Sequence, residues 1–251
     1  MSTSYSFARP LVTVDVLLFT VRDFWMTPGQ QPRLEIALIE RPNEPFKNKL
    51  ALPGTVMRID PDLETGHVDM TDLDAAHRVL KTKLGVKAPH LEQLYTWFNR
   101  GVDPRGPTTV IAYFAVVPFD HFKEADADRI TFVPVDELPK LAFNHNEIIA
   151  KGVERVHGKA LYSTLPALLL PKYFTIKEMQ WIYEAVTGRE FDASNFQKRM
   201  LALEVVKEVE PDSKHAVETR ERANKGQTGR PAKVFRLTVP NKLTTFEKTA
   251  F

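Results

Sequence analysis

The spacing of apolar positions separates strand-like from helix-like stretches along the chain. From Val12 to Val21 the residues are nearly all apolar or β-branched, and in "RLEIALIER" at 33–41 Leu34, Ile36 and Leu38 alternate with Glu35, Ala37 and Ile39. Both patterns predict strands. The stretch between them, "DFWMTPGQQP", holds Pro28, Gly29 and Pro32 and predicts a loose hairpin loop. "TTVIAYFAVVPF" at 108–119 and "RITFVPV" at 129–135 predict two more strands. Leu73, Ala76, Leu80 and Leu84 fall three or four apart, one stripe of a helix that Gly85 stops. Asn144 is placed to cap a second helix running to about His157, with Ile148, Ile149, Val153 and Val156 inward.

Beyond Gly158 the pattern changes. "ALYSTLPALLLPKYF" is a leucine-rich connector interrupted by prolines. "TIKEMQWIYEAVTG" then carries a capping box in Thr175 and Glu178, an apolar stripe through Met179, Ile182, Tyr183 and Val186, and a stop at Gly188. After a short turn, "ASNFQKRMLAL" sets Phe196, Met200 and Leu203 on one side and Asn195, Gln197, Lys198 and Arg199 on the others. Two β-prone runs, "EVVKEVE" and "KVFRLTV", flank a polar stretch rich in Lys, Arg and Gly.

The 251 residues exceed the commonest size of one domain, so two unequal domains are expected, divided here as 1–158 and 159–251. The formal charge of +2 hides a division: residues 151–251 hold 18 Lys and Arg against 12 Asp and Glu, leaving 16 against 20 in the first 150. A basic module joined to an acidic one points to a polyanion partner for the C-terminal part. With no cysteine the chain has no disulfide framework, thiolate metal site or Cys nucleophile. No apolar run near the N-terminus spans a bilayer, and a cytoplasmic, non-membrane protein is expected.

"ALPG" at 51–54 together with "DAAHRVLKTKLGV" at 74–86 resembles the Nudix box. Gly54 matches its first Gly, Asp60 stands at its first Glu, and Arg78, Leu80, Gly85 and Val86 match its helix. The three helix glutamates are replaced by Val79, Thr82 and Lys83, and about ten extra residues separate Asp60 from Arg78. Phosphate-bond hydrolysis in that frame needs Mg²⁺ held by hard carboxylate oxygens. Two of these replacements offer none, and Lys83 puts a cation where the metal would bind. No metal, no cofactor and no enzymatic activity are therefore expected. The rival reading is a divergent pyrophosphohydrolase whose carboxylates come from Glu64, Asp69, Asp72 or Asp74.

A Nudix fold without its metal can still bind a nucleoside diphosphate derivative. Arg41 and Arg105 are the candidates for phosphate, Phe46 for stacking on a base, and Asn99 and Phe143 for supporting contacts. In the C-terminal part, two helices on a tight turn followed by a hairpin with a long basic loop describe a winged helix-turn-helix. Its second helix would place Ser194, Asn195, Gln197, Lys198 and Arg199 in the major groove. Its wing would bring Arg230 and Lys233 to phosphates. A scaffold whose basic wing binds RNA or an acidic protein is the third reading.

The two parts together, over most of the chain, resemble the Nudix-related transcriptional regulators of NAD metabolism, the NrtR family and its NadQ-like relatives. The resemblance rests on "VTVDVLLFT", "ERPNEPF", "LALPG", "LGV", "KALYSTLP", "FTIKEMQWIYEAVTGREFDASNFQKRM" and "GRPAKVFRL". It implies an α/β protein, with an N-terminal Nudix-like mixed-sheet α/β/α sandwich followed by a C-terminal winged helix-turn-helix domain. The implied activity is that of a homodimeric repressor of NAD biosynthesis genes, binding double-stranded operator DNA. The implied effector is an adenine nucleotide: ADP-ribose, ATP or NAD.

Overall fold

A computed structural model describes residues 9–22, 32–60, 66–122, 129–210, 214–224, 231–239 and 242–246. The hairpin loop at 23–31, the acidic insertion at 61–65 that includes Glu64, and the wing segment at 225–230 that includes Arg230 lie outside these residues.

The N-terminal sheet is built on β1 (Leu11–Val21). On one side β1 pairs in parallel with β6 (Thr108–Val116), which pairs antiparallel with β5 (Leu91–Asn99). On the other side β1 pairs antiparallel with β2 (Leu34–Glu40) and with the short β4 (Gly54–Val56). β2 in turn pairs with β3 (Leu50–Ala51) and β7 (Ile130–Pro134), so all four predicted strands form and the sheet is mixed. A strand presents alternate residues to opposite faces, and here both faces are apolar. Leu17 and Phe19 of β1 and Phe114 of β6 face one way, and Val14, Val16 and Leu18 with Tyr113 face the other. A sheet dressed this way must be covered on both sides.

The first cover is α1 (Asp72–Val79), which continues as one π-turn over Leu80–Leu84 and ends at Gly85 with φ 67°. Ala75, Ala76, Val79, Leu80 and Leu84 are buried against the sheet, while Leu73 remains 40% exposed, so the predicted stripe holds at Ala76, Leu80 and Leu84 but not at Leu73. The second cover is α2 (His145–Ala160), three residues longer than the spacing predicts. Asn144 does not cap it through its side chain, and its Oδ1 instead accepts from Asn99 Nδ2 at 3.4 Å.

From α2 the chain passes through a buried 3₁₀ turn at Pro166–Leu169 into α3 (Ile176–Thr187) and α4 (Ala193–Ala202). The capping box of α3 forms as its sequence predicts, with Thr175 Oγ1 accepting from Glu178 N at 3.2 Å and Glu178 Oε2 accepting from Thr175 N at 2.7 Å. Gly188 closes the helix at φ 65°. β8 (Val206–Val209) and β9 (Val234–Leu237) pair antiparallel as a two-stranded sheet, and Phe174 makes an isolated antiparallel bridge to Phe235.

One prediction fails here. The polar stretch between β8 and β9 is not an open basic loop, because Lys214–Asn224 folds as a helix, α5. Its Ala, Glu and Arg content favours helix, Ala216 and Thr219 are buried three apart on one side, and Lys214 lies 3.9 Å from Glu218 one turn away. Three of the wing's basic residues, Lys214, Arg220 and Arg222, are therefore carried by a helix.

The core on the α2 side does not stop at the linker. Leu165, Leu168, Leu169, Phe174, Tyr183, Phe196 and Met200 belong to the same apolar cluster as Leu17, Phe19 and Phe114. The last described residues add a strap: Thr164 N donates to Thr244 O at 2.9 Å and Phe246 N to Tyr162 O at 2.7 Å, with Leu243 and Phe246 packed on the core.

Midway along α2, Gly152 lies so close to the sheet that an added Cβ would sit 2.3 Å from Leu17 Cδ2 and 3.3 Å from Phe19 Cζ. Ala should gain about 1 kcal/mol of helix propensity, but forcing a methyl into a filled core costs roughly 1–3 kcal/mol, and Leu17 and Phe19 are fully buried with no room to retreat. Gly152→Ala is therefore expected to lower the urea midpoint and the melting temperature, and an unchanged or raised midpoint would refute the close contact.

Candidate functional site

At the C-terminal end of β2, Arg41 donates from Nε to Pro45 O at 2.8 Å, and its guanidinium lies 4.7 Å from the centre of the Phe143 ring. Phe46 meets the same ring edge-on at 4.8 Å. Phe46 and Phe143 both hold left-handed backbone, at φ 63° and 52°. For a bulky side chain that conformation costs about 1–3 kcal/mol, and strain of this kind concentrates at ligand sites. The sequence therefore converges Arg41, Phe46 and Phe143 at one place.

Arg105 is also near. Burial, and after it the charge of Arg105, lowers the pKa of Arg41, while the charges of Asp103, Asp15 and Glu44 act in the opposite sense. Arg105 is already engaged inside its loop: Nε and Nη2 donate to Asp103 at 3.0 Å and 2.7 Å, and its backbone N donates to the same carboxylate at 2.9 Å. That carboxylate is 4% exposed, and the arginine holds its pKa down. Asn99 joins the region through Asn144.

Beneath these residues lies a polar pair that the sequence reading passes over. His145 Nδ1 accepts from Leu52 N at 2.9 Å, so the imidazole proton is on Nε2, which lies 3.5 Å from Asp15 Oδ2. Both side chains are buried. A Cβ on Gly54 would fall 2.0 Å from Asp15 Oδ1, so the glycine of "ALPG" is required by close approach. The available signal was Asp15 itself, the one charge inside an apolar strand.

The face that would carry hydrolysis is occupied by structural bonds. Arg78 reaches back from α1 to Asp69, with Nε–Oδ1 at 3.0 Å and Nη2–Oδ2 at 2.5 Å, and also donates to Thr55 Oγ1 and Val56 O. Asp69 further accepts from Arg58 N at 2.7 Å. Asp72 accepts from the Tyr113 hydroxyl at 3.0 Å, and Asp74 completes the capping box of α1 with Thr71. Val79 is buried in the core, and Thr82 donates to Arg78 O at 2.8 Å. Among the described residues no group of three or more His, Cys, Asp or Glu is placed to hold a metal ion.

In the C-terminal part, Ser194, Asn195, Gln197, Lys198 and Arg199 are all exposed on α4, while Phe196 and Met200 root the helix in the core. The turn ahead of α4 is fixed from α3: Gln180 Nε2 donates to Phe191 O at 2.8 Å, and Glu184 Oε1 accepts from Phe191 N at 2.9 Å. Asp192 caps α4 by accepting from Asn195 N at 2.9 Å. Lys233 pairs with Glu208 at 2.7 Å, both about half exposed. Such a surface pair contributes about 0–1 kcal/mol, so Lys233 can exchange it for a phosphate at little cost. No helix of the described residues is long and apolar enough to cross a membrane.

A mixed-sheet domain with a Nudix-box frame, a cluster of arginines and phenylalanine rings at one end of it and an attached winged helix define a Nudix-like domain joined to a winged helix-turn-helix domain. Comparison with known proteins agrees. Residues 166–237 match the NrtR DNA-binding winged helix domain. The chain is 34% identical over 208 residues to the ADPR responsive transcriptional repressor NtrR of Acinetobacter baylyi, covering 81% of this chain and 77% of that protein. The crystal structure of Shewanella oneidensis NrtR superposes with a TM-score of 0.70 at 27% identity, covering 91% of this chain and 94% of that one. The same protein complexed with a 27mer DNA gives 0.69 at 26%, covering 90% and 93%. The chain belongs to the NrtR family of Nudix-related regulators.

The Arg78 pair and the backbone bond from Arg58 hold Asp69 at a pKa of about 2, below the ordinary 3.8. A depressed carboxylate stabilises the fold above its unfolded pKa, and that contribution is lost as pH falls from about 4 towards 2. Asp69→Asn is expected to cost about 2 kcal/mol at neutral pH, with its urea midpoint converging on that of the unmodified chain as the pH is lowered through this window. A gap that stays constant across the window would be evidence against the pairing.

Proposed function

We propose that the chain is a transcriptional repressor that binds operator DNA through α4 and the β8–β9 wing and whose DNA affinity is set by ADP-ribose, which it does not hydrolyse. The observation that carries this reading is the exposed polar face of α4 on a helix whose inner face belongs to the core that also covers the sensor sheet. Ligand can alter DNA affinity only by binding two arrangements of the chain unequally. α2 begins at the pocket, beside Phe143 and His145, and ends at the strapped linker, a rigid span of about 24 Å for 16 residues.

In the sensor, taken as 1–158, Arg41 and Arg105 receive the diphosphate, Phe46 and Phe143 the base, and Asn99 a polar group of the ligand. For Arg105 this means releasing part of its bond to Asp103. ADP-ribose is the choice because the Acinetobacter relative is named as ADPR-responsive. ATP and NAD, the other effectors the sequence implies, have no such support. In the DNA-binding part, taken as 159–251, Asn195 and Gln197 read base edges, while Ser194, Lys198, Arg199 and Lys233 contact phosphates. Arg230, outside the described residues, is assigned to phosphate from the sequence. A homodimer on a two-fold operator of NAD biosynthesis genes suits a winged helix that reads half-sites. Against hydrolysis stand the engagement of Asp69, Asp72 and Asp74 in structural bonds and the loss of the motif glutamates.

The test is an electrophoretic mobility shift on duplex DNA that the chain enriches from a random pool, titrated with ADP-ribose, ATP and NAD. ADP-ribose should change the affinity, in EDTA as well as in Mg²⁺, with no AMP released. Arg41→Ala should shift the ADP-ribose midpoint by about tenfold or more and leave DNA affinity without effector unchanged. Failure of every nucleotide to alter DNA binding would sink the sensor reading, and Mg²⁺-dependent AMP release would restore the hydrolase. On the DNA side, Asn195→Ala and Gln197→Ala should each cost about 1–3 kcal/mol on the enriched sequence only. An equal loss on random duplex would remove them from base recognition.

A further inference from the structure

Arg222 lies in the polar stretch between β8 and β9 that the sequence predicts as a basic loop, but in the fold it is turned inward. Its Nη2 and Nε donate to Glu178 Oε1 at 2.7 Å and 3.0 Å, and the two side chains are 29% and 5% exposed. The other oxygen of Glu178 is occupied by Thr175 N and Thr175 Oγ1 at the start of α3. One carboxylate thus closes the first turn of α3 and holds α5. Farther along, Arg220 Nε donates to Ala232 O at 3.3 Å and Asn224 Oδ1 accepts from Ala232 N at 2.8 Å, which ties α5 to the segment that carries Lys233 into β9. The chain α3–Glu178–Arg222–α5–Ala232 fixes the wing relative to the helix-turn-helix.

We propose that Arg222 and Glu178 are positioning residues for DNA binding: their ion pair locks α5 onto α3 and so sets where the wing meets the duplex, without either side chain touching DNA. This rests on the reading of the winged helix as the DNA reader. Breaking a partly buried pair leaves an uncompensated charge, and the pair is what joins α5 to α3, the bonds of Arg220 and Asn224 going to Ala232 instead.

The sign of one substitution separates position from charge. Glu178→Gln removes a negative charge, so electrostatics alone would strengthen DNA binding, whereas loss of wing position weakens it. The glutamine oxygen still accepts from Thr175 N, so the cap survives. DNA binding by the full chain would be measured by fluorescence anisotropy on the enriched duplex over a range of salt. We expect Glu178→Gln, Arg222→Ala and Arg222→Lys each to weaken binding about tenfold, and the Glu178→Gln/Arg222→Ala pair no more than either alone, because they remove one interaction. The dependence of log affinity on log salt should stay unchanged, since no phosphate contact is lost. If Glu178→Gln leaves affinity unchanged or raises it, or if Arg222→Ala lowers the salt slope by about one, the proposal fails and Arg222 is a phosphate ligand. Circular dichroism of the same samples reports folding, and should Glu178→Gln unfold, Arg222→Lys, which keeps the charge and disturbs no cap, carries the test. A wild-type chain that enriches no duplex refutes the DNA reading itself.

Discussion

α2 lies against a sheet face made of Leu17, Phe19 and Phe114, and it can do so only because Gly152 presents no side chain at the point of contact. From that contact the apolar cluster runs on through Leu165 and Leu168 to Tyr183 and Phe196, where the helix-turn-helix begins. Burial of such side chains contributes about 1.5–3 kcal/mol each, far more than any of the exposed ion pairs. The junction between the two parts is therefore held as an interior. A displacement of α2 at its His145 end meets packed side chains all the way to α3, and close-packed interiors transmit such displacements.

The eroded Nudix box keeps the bonds that shape it. Arg78 still ties α1 to β4 through Asp69, Thr55 and Val56, Gly54 still lies against Asp15, and Gly85 still ends the helix. What has changed are the positions pointing away from those bonds. Val79 has joined the core, while Thr82 and Lys83 are exposed. The frame serves packing, and Arg41, Phe46 and Phe143 are gathered in one cluster.

Charge plays two distinct roles in the C-terminal part. On α4 it is displayed, on a surface whose opposite side is anchored by Phe196 and Met200 and whose entry turn is clamped by Gln180 and Glu184. On α5 it is partly spent, with Arg222 bound to Glu178 and Arg220 to the backbone of Ala232. A count of basic residues cannot distinguish these roles, because both raise the net charge by the same amount.

The sequence by itself determined the elements and their punctuation: the alternating strands, the capping box of Thr175 and Glu178, the stop at Gly188 and the exposed face of α4. Capping, periodicity and positive φ are settled within a few residues, so a linear reading suffices. It also brought Arg41, Phe46 and Phe143 into one candidate list, which the fold gathers in one place. It misjudged α5, whose helix competes with a loop reading suggested by nearby glycines, and it missed the pairing of Asp15 with His145. Only the tertiary structure decided which charges remain available. Arg222 meets its partner 44 residues away, and Leu52 meets His145 from 93 residues away. No local pattern carries the identity of a partner that distant, because it is set by how the helices and sheet pack.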